Sequence, residues 1–425
     1  MTEVSKASAY PKSVQPGLPR LGTTPPGWSR GPLSEHLFEE ARPVNMADDE
    51  LYDLVTVKRS RGGVVLRERL KGKEIAVKSQ FRVKAGDFLI SKRQIVHGAC
   101  GIVPPELDGA IVSNEYAVLR ARPSLDLHFL NYLAHSIYFQ QTCFHSSIGV
   151  HVEKMIFKLG EWLKWDFDLP PILEQKRIVE ILSTWDGAIS KAAERVALTE
   201  NFSHALTTLI MSGEVRLPSH SDPWKHRLLG DVCDFKGGAG FSEAAQGSSV
   251  GELPFIKVSD MSLPGNEVDI VTANNWVTRE VAKSLRATPM PSGAVVFAKV
   301  GAALMLNRRR RLKFDTIIDN NMMAAIPKAD DISTDFLFLL MCTIDLAALV
   351  QPGAVPSVNQ RQLSSIPIKL PGKSEQAAIA DVLLNMRSLL KGLKLYEHNL
   401  RREKLAVSGL LISGRRRAFA SAEAA

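Results

Sequence analysis

The sequence predicts an α+β fold in which two similar domains alternate with two long helices. The helices are expected to pack on each other as an antiparallel coiled coil, so that the chain forms a pseudo-twofold internal repeat. Three observations favour this arrangement: a strong ungapped repeat, a fainter repeat of the segments before it, and apolar residues at helical spacing within the strong repeat.

The strong repeat extends from Leu169 to Gly213 and recurs 201 residues later, from Leu370 to Gly414. Identical pairs within it include Pro170 and Pro371, Glu174 and Glu375, Gln175 and Gln376, Ile178 and Ile379, Leu182 and Leu383, and Ser212 and Ser413. An ungapped match of this length indicates an internal duplication.

Each copy of the strong repeat reads as one helix. The pattern Leu-Pro-x-x-x-Glu-Gln is typical of a helix N-terminus, and Gly213 and Gly414 stand where C-terminal capping glycines belong. From Glu174 to Met211 the helix would be about 57 Å long, at ~1.5 Å per residue. Apolar residues at steps of three and four would form a coiled-coil seam between the copies. In the alternative arrangement, each helix packs on its own globular neighbour.

The fainter repeat relates the segments that precede the two helices. The stretch from Gly86 to Lys92 matches that from Gly293 to Lys299, 207 residues later. Asn114 and Asn321 match at the same separation. In the first segment, β-prone runs at 83–91 and 110–119 and a helical stretch at 127–141 predict an α+β domain. The two helix copies are more similar in sequence than the two domain copies. We therefore expect two similar domains that bind different targets and are joined by a common pair of helices.

These patterns divide the chain into five segments. They are a disordered tail at 1–27, a first domain at 28–168, a first spacer helix at 169–217, a linker and second domain at 218–369, and a second spacer helix with a basic tail at 370–425.

Composition limits the class of protein. The chain has 425 residues, of which 45% are hydrophobic and 23% charged, and this is ordinary globular material. Its net charge of +8 favours an anionic partner. The four cysteines show no zinc or disulfide spacing, and no apolar run reaches membrane-spanning length. We therefore expect a soluble cytoplasmic protein that binds no metal.

The doubled helix motif resembles the specificity (S) subunit of type I restriction-modification systems. The resemblance rests on Leu169–Gln175 with Ile178, Leu182 and Ser212-Gly213, each echoed 201 residues later, and on Lys92, His97–Ala99, Gly101–Pro104 and Ser113-Asn114 in the first domain. It covers nearly everything from Trp28 to Gly414. The second copy, Leu370-Pro-Gly-Lys-Ser-Glu-Gln376, has lost two apolar residues, which predicts weaker packing against a partner.

The resemblance implies a non-catalytic subunit that reads a bipartite sequence in double-stranded DNA. Each target recognition domain would read one half, and the helices would set the gap between the halves. Two methyltransferase (M) subunits would dock on the repeats, and restriction (R) motor-nuclease subunits could join them. S-adenosylmethionine, ATP and Mg²⁺ would be bound by those partners, and this chain would bind no cofactor itself.

DNA binding needs cations for phosphates and amides or guanidinium groups for base edges. The candidate DNA-binding residues are Lys92, Arg93, Gln94, Lys299, Asn307, Arg308, Arg309, Arg310, Arg311, Gln360 and Arg361. The arginine run is predicted to lie in a loop or hairpin. Each group has a structural alternative: the run could be a solvated surface, the equivalent Lys92 and Lys299 could support the fold, and Asn114 and Asn321 could cap turns.

Two competing functions remain on the sequence alone. One is a diverged free-standing restriction endonuclease or DNA methyltransferase, and the other is a coiled-coil adaptor without DNA contact. Against the enzyme, the chain lacks [Asp/Asn]-Pro-Pro-[Tyr/Phe], a complete phosphate-binding loop and a convincing cluster of nuclease carboxylates, so no catalytic residue is predicted. Basic runs within the two domains argue against the adaptor.

Overall fold

The computed structural model describes residues 11, 13–218, 220–350 and 355–419. The chain divides into two compact units: unit 1 comprises 1–192 and 396–425, and unit 2 comprises 193–395. Both long helices therefore contribute one part to each unit. Within the described residues, no helix is long and apolar enough to cross a membrane.

Unit 1 contains twelve of the described strands and the first four α-helices. The strands are β1 Ser29–Pro32, β2 Leu37–Glu39, β3 Leu51–Val57, β4 Val64–Lys71, β5 Gln80–Arg82, β6 Phe88–Ser91, β7 Cys100–Ile102, β8 Ile111–Ser113, β9 Tyr116–Ala121, β10 Ser147–Ile148, β11 Ile156–Phe157 and β12 Asp166–Leu169. The helices are α1 Leu127–Leu133, α2 Ile137–His145, α3 Leu159–Trp162 and the long α4 Ile172–Ser212, whose second half belongs to unit 2.

Two four-stranded sheets form the centre of unit 1, with strand orders β2-β9-β6-β7 and β4-β3-β8-β5. Two further strand pairs, β1 with β12 and β10 with β11, complete the described sheet structure of this unit. The core between the first sheet and α1 is aromatic and aliphatic, and includes Phe88, Phe129, Trp162 and Phe167.

Unit 2 has a similar order of strands and helices, but its sheets differ in strand number. The strands are β13 Lys225–Leu228, β14 Cys233–Gly237, β15 Leu253–Ile256, β16 Asp269–Ile270, β17 Trp276–Val277, β18 Val295–Ala298, β19 Arg310–Leu312, β20 Ile317–Ile318, β21 Met322–Pro327 and β22 Pro367–Leu370. The helices are α5 Leu229–Val232, α6 Arg279–Ser284, α7 Ala302–Met305, α8 Thr334–Thr343, α9 Gln360–Ser364 and the long α10 Lys373–Ile412, which ends in unit 1. The sheet orders are β14-β21-β18-β19-β16, β17-β15-β20 and β13-β22.

The two units have the same central strand arrangement. In unit 1, β9 lies between β2 and β6 in an antiparallel arrangement, and β21 lies in the same way between β14 and β18 in unit 2. The strand before each long helix also pairs alike: β1 with β12, and β13 with β22. The predicted duplicated α+β fold is therefore confirmed, and β6 and β18 are the matching stretches that the sequence identified.

The long helices run antiparallel within each unit. In unit 1, Ile178 and Leu182 near the start of α4 share a core with Leu411 at the end of α10. In unit 2, Ile210 near the end of α4 shares a core with Ile379 near the start of α10. These residues also pack with α1 and α8 respectively, so both arrangements considered from the sequence occur together.

Both helices end as the sequence predicts. Gly213 and Gly414 adopt the left-handed conformation, with φ of 79° and 67°. The N–H groups of Val215 and Arg416 then donate to the carbonyls of Leu209 and Leu410, six residues earlier in the chain. A glycine is needed here because a Cβ atom would strain the backbone at these φ values.

A three-residue cluster around a buried glutamate, here called the clasp, joins the two long helices in each unit. In unit 1, Glu174 at the start of α4 accepts hydrogen bonds from Arg417 Nε and Nη2 (2.8 and 2.7 Å) and from Trp28 Nε1 (3.2 Å). In unit 2, Glu375 accepts from Arg216 Nε and Nη2 (2.6 and 2.7 Å) and from Trp224 Nε1 (2.9 Å). The repeated glutamate thus binds an arginine that follows the end of the opposite long helix.

The glutamine that follows each of these glutamates pins its helix to the domain. Gln175 accepts from the N–H of Asp126 (2.8 Å) and donates to the carbonyls of Ser124 and Pro170 (3.0 and 2.9 Å). Gln376 repeats all three contacts, with Ser333, Asp331 and Pro371. Asp126 and Ser333 are the residues that cap α1 and α8, so each glutamine fixes a long helix against the helix of its own domain.

Replacing Gln376 by Leu should lower the free energy of unfolding by about 2 kcal/mol, because the change leaves backbone groups buried without hydrogen-bond partners. Urea unfolding of the full chain would measure the loss. The matched control is Gln362→Leu, which removes a partly exposed side-chain amide whose oxygen accepts the Asn359 N–H. Equal effects of the two substitutions would contradict a specific role for Gln376.

Local turns divide several predicted elements. The predicted strand at 83–91 is interrupted at Gly86, whose φ is 84°, so that only Phe88–Ser91 remains a strand there. The predicted helix at 127–141 is two helices, because the Ser136 hydroxyl caps a new start by accepting the N–H of Phe139. Periodicity alone does not reveal these breaks.

Part of the predicted disordered tail lies against unit 1. Val14 is buried, and Thr24 Oγ1 donates to Asp168 (3.0 Å). The remainder of the 1–27 prediction, residues 1–10 and 12, lies outside the described residues. The Pro- and Ser-rich composition suggested disorder because it offers few side chains to bury. The observed contacts are made instead by backbone carbonyls and by single side chains such as Val14 and Thr24.

Candidate nucleic-acid interface

In unit 1, the candidate Lys92 lies directly beyond the end of β6. Because neighbouring strands are antiparallel, this end of the sheet also holds the start of β9 and the end of β2. Lys92 Nζ donates to the carbonyl of Asn114 (3.2 Å) and lies 3.5 Å from Glu39. We call this end of the sheet the reading edge of unit 1.

Arg93 and Gln94 follow on the same edge. The Arg93 guanidinium forms a bidentate, exposed ion pair with Glu115. The Gln94 side chain turns inward, and its Oε1 is buried without a hydrogen-bond partner among the described residues. Of the three predicted residues, Arg93 is exposed, whereas Lys92 and Gln94 are half-buried.

Two further segments reach the reading edge of unit 1, and the prediction did not include them as site residues. The tip of the β3–β4 hairpin docks on the loop after Lys92, because Ser60 N–H and Arg61 N–H donate to the carbonyls of His97 and Gly98 (both 2.7 Å). The 147–158 segment joins through Phe157 N–H, which donates to the Lys92 carbonyl (2.8 Å). These contacts bring exposed Lys58 and Arg59 toward the edge. The basic run at 58–61 was visible in the sequence, but its position was not.

Unit 2 presents the same edge with different residues. Lys299 follows β18 as Lys92 follows β6, and its N–H donates to the carbonyl of Asn321 (2.9 Å). The glycine-rich stretch 237–240 lies alongside: a Cβ placed on Gly237 would be 3.2 Å from Lys299 Nζ, and one on Gly238 would overlap the Asp319 carbonyl. We call this the reading edge of unit 2. The lack of a side chain lets the Gly238 backbone pack against the Asp319 carbonyl.

Gln360 and Arg361 lie near Lys299. The N–H of Val358 donates to the Lys299 carbonyl (3.0 Å), and Gly301 N–H donates to the carbonyl of Pro356 (2.8 Å). Gln360 and Arg361 then begin α9 with exposed side chains. The structure therefore brings together Lys299, Gln360 and Arg361, which are far apart in the sequence.

Arg308 and Arg309 lie in a loop, and Arg310 and Arg311 lie in β19, which pairs antiparallel with β18. Only Arg308 has an exposed side chain, which donates to Ser262. Arg310 begins β19 and donates to the carbonyls of Met261 and Arg309 (3.1 and 2.7 Å). Because β19 pairs with β18, the sheet fixes the direction of the side chains in this part of the run.

Arg309 and Arg311 are held inside unit 2. Arg311 pairs with Asp269 (2.7 Å) and Asp335 and lies over the Phe338 ring. Arg309 donates to the carbonyl of Ile344 at the end of α8 and to Asn307 Oδ1 (3.0 Å), and burial lowers the pKa of its guanidinium. These side chains stabilise the fold.

Unit 1 places an arginine at the equivalent helix end. Arg61 Nη1 donates to the carbonyl of Ala134, which caps the end of α1, and burial lowers the pKa of Arg61 as well. A cation at a helix C-terminus interacts favourably with the helix dipole. Asn307 also has a structural role, because its amide donates to Asp345 (2.6 Å) and its carbonyl oxygen accepts the Leu346 N–H (2.8 Å).

Within the described residues, no group of three or more His, Cys, Asp or Glu side chains is arranged to hold a metal ion. The four cysteines are free thiols, and burial raises the pKa of Cys100 and of Cys233 to about 12. Such thiols are inert packing residues.

Known proteins share this architecture. The chain matches the family described as type I restriction modification DNA specificity domain, over residues 45–200 and 221–394. It is 22% identical to the type I restriction enzyme MjaVIII specificity subunit of Methanocaldococcus jannaschii, over 88% of this chain and 89% of that protein.

Two solved structures show the same fold. The HsdS subunit of Thermoanaerobacter tengcongensis is 19% identical, with a TM-score of 0.51 over 92% of this chain and 97% of that one. The type I restriction-modification S subunit from M. genitalium is 12% identical, with a TM-score of 0.56 over 95% of this chain and 100% of that one. The free-standing enzyme gains no support from these relatives. The chain belongs to the type I restriction-modification specificity family, and it is a non-catalytic DNA-recognition subunit.

Proposed function

We propose that the chain reads a bipartite sequence in double-stranded DNA, one half with each reading edge. The observation that carries this proposal is the equivalence of the two edges. Lys92 and Lys299 occupy the same position on the same three-stranded frame, whereas the residues around them differ. A common frame with different surface chemistry is what two half-sites of different sequence require.

The edges differ in the chemistry that they offer to DNA. Unit 1 presents Lys58, Arg59, Lys92 and Arg93, a set of cations suited to phosphates and to guanine. Unit 2 presents Lys299, Gln360 and Arg361 beside a glycine-rich surface. Amide groups favour adenine. The two half-sites are therefore expected to differ in sequence.

We further propose that two methyltransferase subunits dock on the spacer helices and that restriction subunits join the assembly. Supporting this, α4 and α10 keep large apolar side chains exposed, including Leu198 and Phe202 on α4 and Leu389 on α10. Exposed apolar residues on an ordered helix are typical of a partner surface. S-adenosylmethionine, ATP and Mg²⁺ would be bound by those partners, and the complex would work in the cytoplasm, where its DNA lies.

Methylation mapping tests the proposal. The chain is co-expressed with a methyltransferase subunit encoded beside it, and methylated positions in the host DNA are sequenced. We expect a complex of one such chain and two methyltransferase subunits that methylates a split, non-palindromic sequence. Replacing residues 224–369 by the corresponding domain of another specificity subunit should change one half-site and leave the other unaltered.

The matched control is replacement of residues 28–168, which should change the opposite half only. Unchanged methylation after removal of the chain would contradict the proposed function. A swap that altered both halves would contradict independent reading by the two edges.

A further inference from the structure

The segment 13–27, here called the N-terminal strap, connects the end of α10 to the reading edge within unit 1. It lies outside the residues that match the family, which begin at 45. At its root, a Cβ on Gly414 would meet Pro25, and Arg417 donates to the Pro26 carbonyl. Thr24 is hydrogen-bonded to Asp168 (3.0 Å). The root is therefore attached to the same helix end that holds the clasp.

The middle of the strap lies against α2. A Cβ on Gly17 would be 2.6 Å from Gln141 Nε2, so the strap backbone approaches this helix closely. His145 Nε2 lies 3.2 Å from the Gly17 carbonyl oxygen. Arg30 Nη2 donates to the Gly22 carbonyl (2.7 Å), which fixes the part between root and middle. The strap is thus held along its length and not only at its ends.

The tip of the strap reaches the loop that carries the reading edge. Val14 is 3% exposed, and Ser13 Oγ lies 3.1 Å from Nδ1 of the buried His97. His97 Nε2 lies 3.2 Å from Glu153 but forms no hydrogen bond among the described residues, and Glu153 pairs with Arg59 (2.6 Å). The His97 carbonyl receives the Ser60 N–H of the hairpin tip. His97 therefore links the strap to the hairpin tip, because its ring contacts Ser13 and its carbonyl accepts the Ser60 N–H.

Comparison with unit 2 explains why unit 1 needs this support. The position equivalent to His97, 207 residues later, is Leu304, which is buried and apolar and needs no hydrogen-bond partner. A buried imidazole loses its hydration and requires polar neighbours. In unit 2, α4 ends at Ser212 and β13 begins at Lys225, and no described residue of the segment between them is hydrogen-bonded to Leu304.

From these contacts we propose that the strap positions the reading edge of unit 1, so that recognition of one half-site depends on Ser13 and Val14. This inference rests on the proposed function of the reading edges. Ser13, Val14 and His97 act here as positioning residues: they set the place of the 92–98 loop and of the 58–61 hairpin tip, and other side chains contact the DNA.

The test uses the full chain in two measurements. Ser13→Ala and Val14→Asp are compared with Leu18→Asp, a control at an exposed position of the same strap. By hydrogen–deuterium exchange, Val14→Asp should raise amide exchange of residues 92–98 at least about tenfold, while residues 295–301 of unit 2 keep their wild-type rate. Ser13→Ala should also raise the exchange of residues 92–98, whereas Ser13→Thr, which retains the hydroxyl, should keep the wild-type rate.

The second measurement is methylation mapping with the complete complex. Val14→Asp should lower methylation or relax the sequence at the half-site assigned to unit 1 by the domain exchange, and leave the other half unaltered. Wild-type exchange in Val14→Asp, or equal loss at both half-sites, would overturn the positioning role. If the wild-type complex methylates no split sequence, the proposed function itself fails, and the exchange measurement shows separately whether the strap holds the loop.

Discussion

Replacing Glu174 by Gln is expected to lower the free energy of unfolding by about 2–3 kcal/mol, because a buried carboxylate and its charged hydrogen bonds are lost. The Glu174 side chain is 2% exposed, and Arg417, Trp28 and the Ala418 N–H all donate to it. The Arg417 side chain is 33% exposed, which keeps the expected loss below that of a fully buried pair. Urea unfolding of the full chain would measure it.

The matched control is Glu180→Gln on the same helix. Glu180 forms an exposed pair with Arg177 one turn away, and its loss should cost less than about 0.5 kcal/mol. A double-mutant cycle of Glu174→Gln with Arg417→Met isolates the coupling between the two side chains. Additive effects of the two substitutions would show that the clasp does not join the helices energetically.

The same residue predicts a pH dependence. Burial disfavours the charged form of Glu174, but the hydrogen bonds from Arg417, Ala418 and Trp28 outweigh it and hold the pKa below its usual value of 4.5. The contribution to stability is therefore complete above pH 4.5 and is lost as the pH falls through the lower, folded-state pKa. The free energy of unfolding is measured between pH 7 and pH 3. In the wild type it should fall with pH, and in Glu174→Gln this fall should be smaller because residue 174 no longer titrates.

Replacing Arg309 by Ala should also destabilise the protein, by about 2–3 kcal/mol. Its guanidinium is buried and donates to Ile344 at the end of α8 and to Asn307, which in turn accepts the Leu346 N–H. Without it, the Ile344 carbonyl at the end of α8 loses this donor inside the domain. Thermal or urea unfolding would measure the loss, and the affinity of the remaining folded protein for DNA should change little.

The matched comparison is Arg308→Ala at the neighbouring position, which should affect DNA binding and not stability. Its side chain is exposed, so stability should stay within about 0.5 kcal/mol of wild type. If Arg308 contacts a phosphate, binding of the complex to its target should weaken, and the slope of log affinity against log salt should shrink by about 1. Loss of DNA affinity in Arg309→Ala with unchanged stability would contradict this division of roles.

The sequence by itself determined the duplication, the two long helices and their ends. Repeats and apolar periodicity can be recognised in the sequence without knowing which distant residues are in contact. For this reason the helix that was predicted from Glu174 to Met211 is observed as Ile172–Ser212, and Gly213 has the predicted left-handed conformation. The equivalence of Lys92 and Lys299 was also correct, because both follow matching strands.

Only the tertiary structure decided what the charged side chains do. Four consecutive arginines look alike in sequence, but β19 and the end of α8 turn Arg309 and Arg311 inward and leave Arg308 at the surface. Glu174 gains its role from Arg417, and His97 gains its role from Ser13, through contacts between residues far apart in the chain. Long charged side chains take their direction from such partners, and spacing along the sequence carries no information about them.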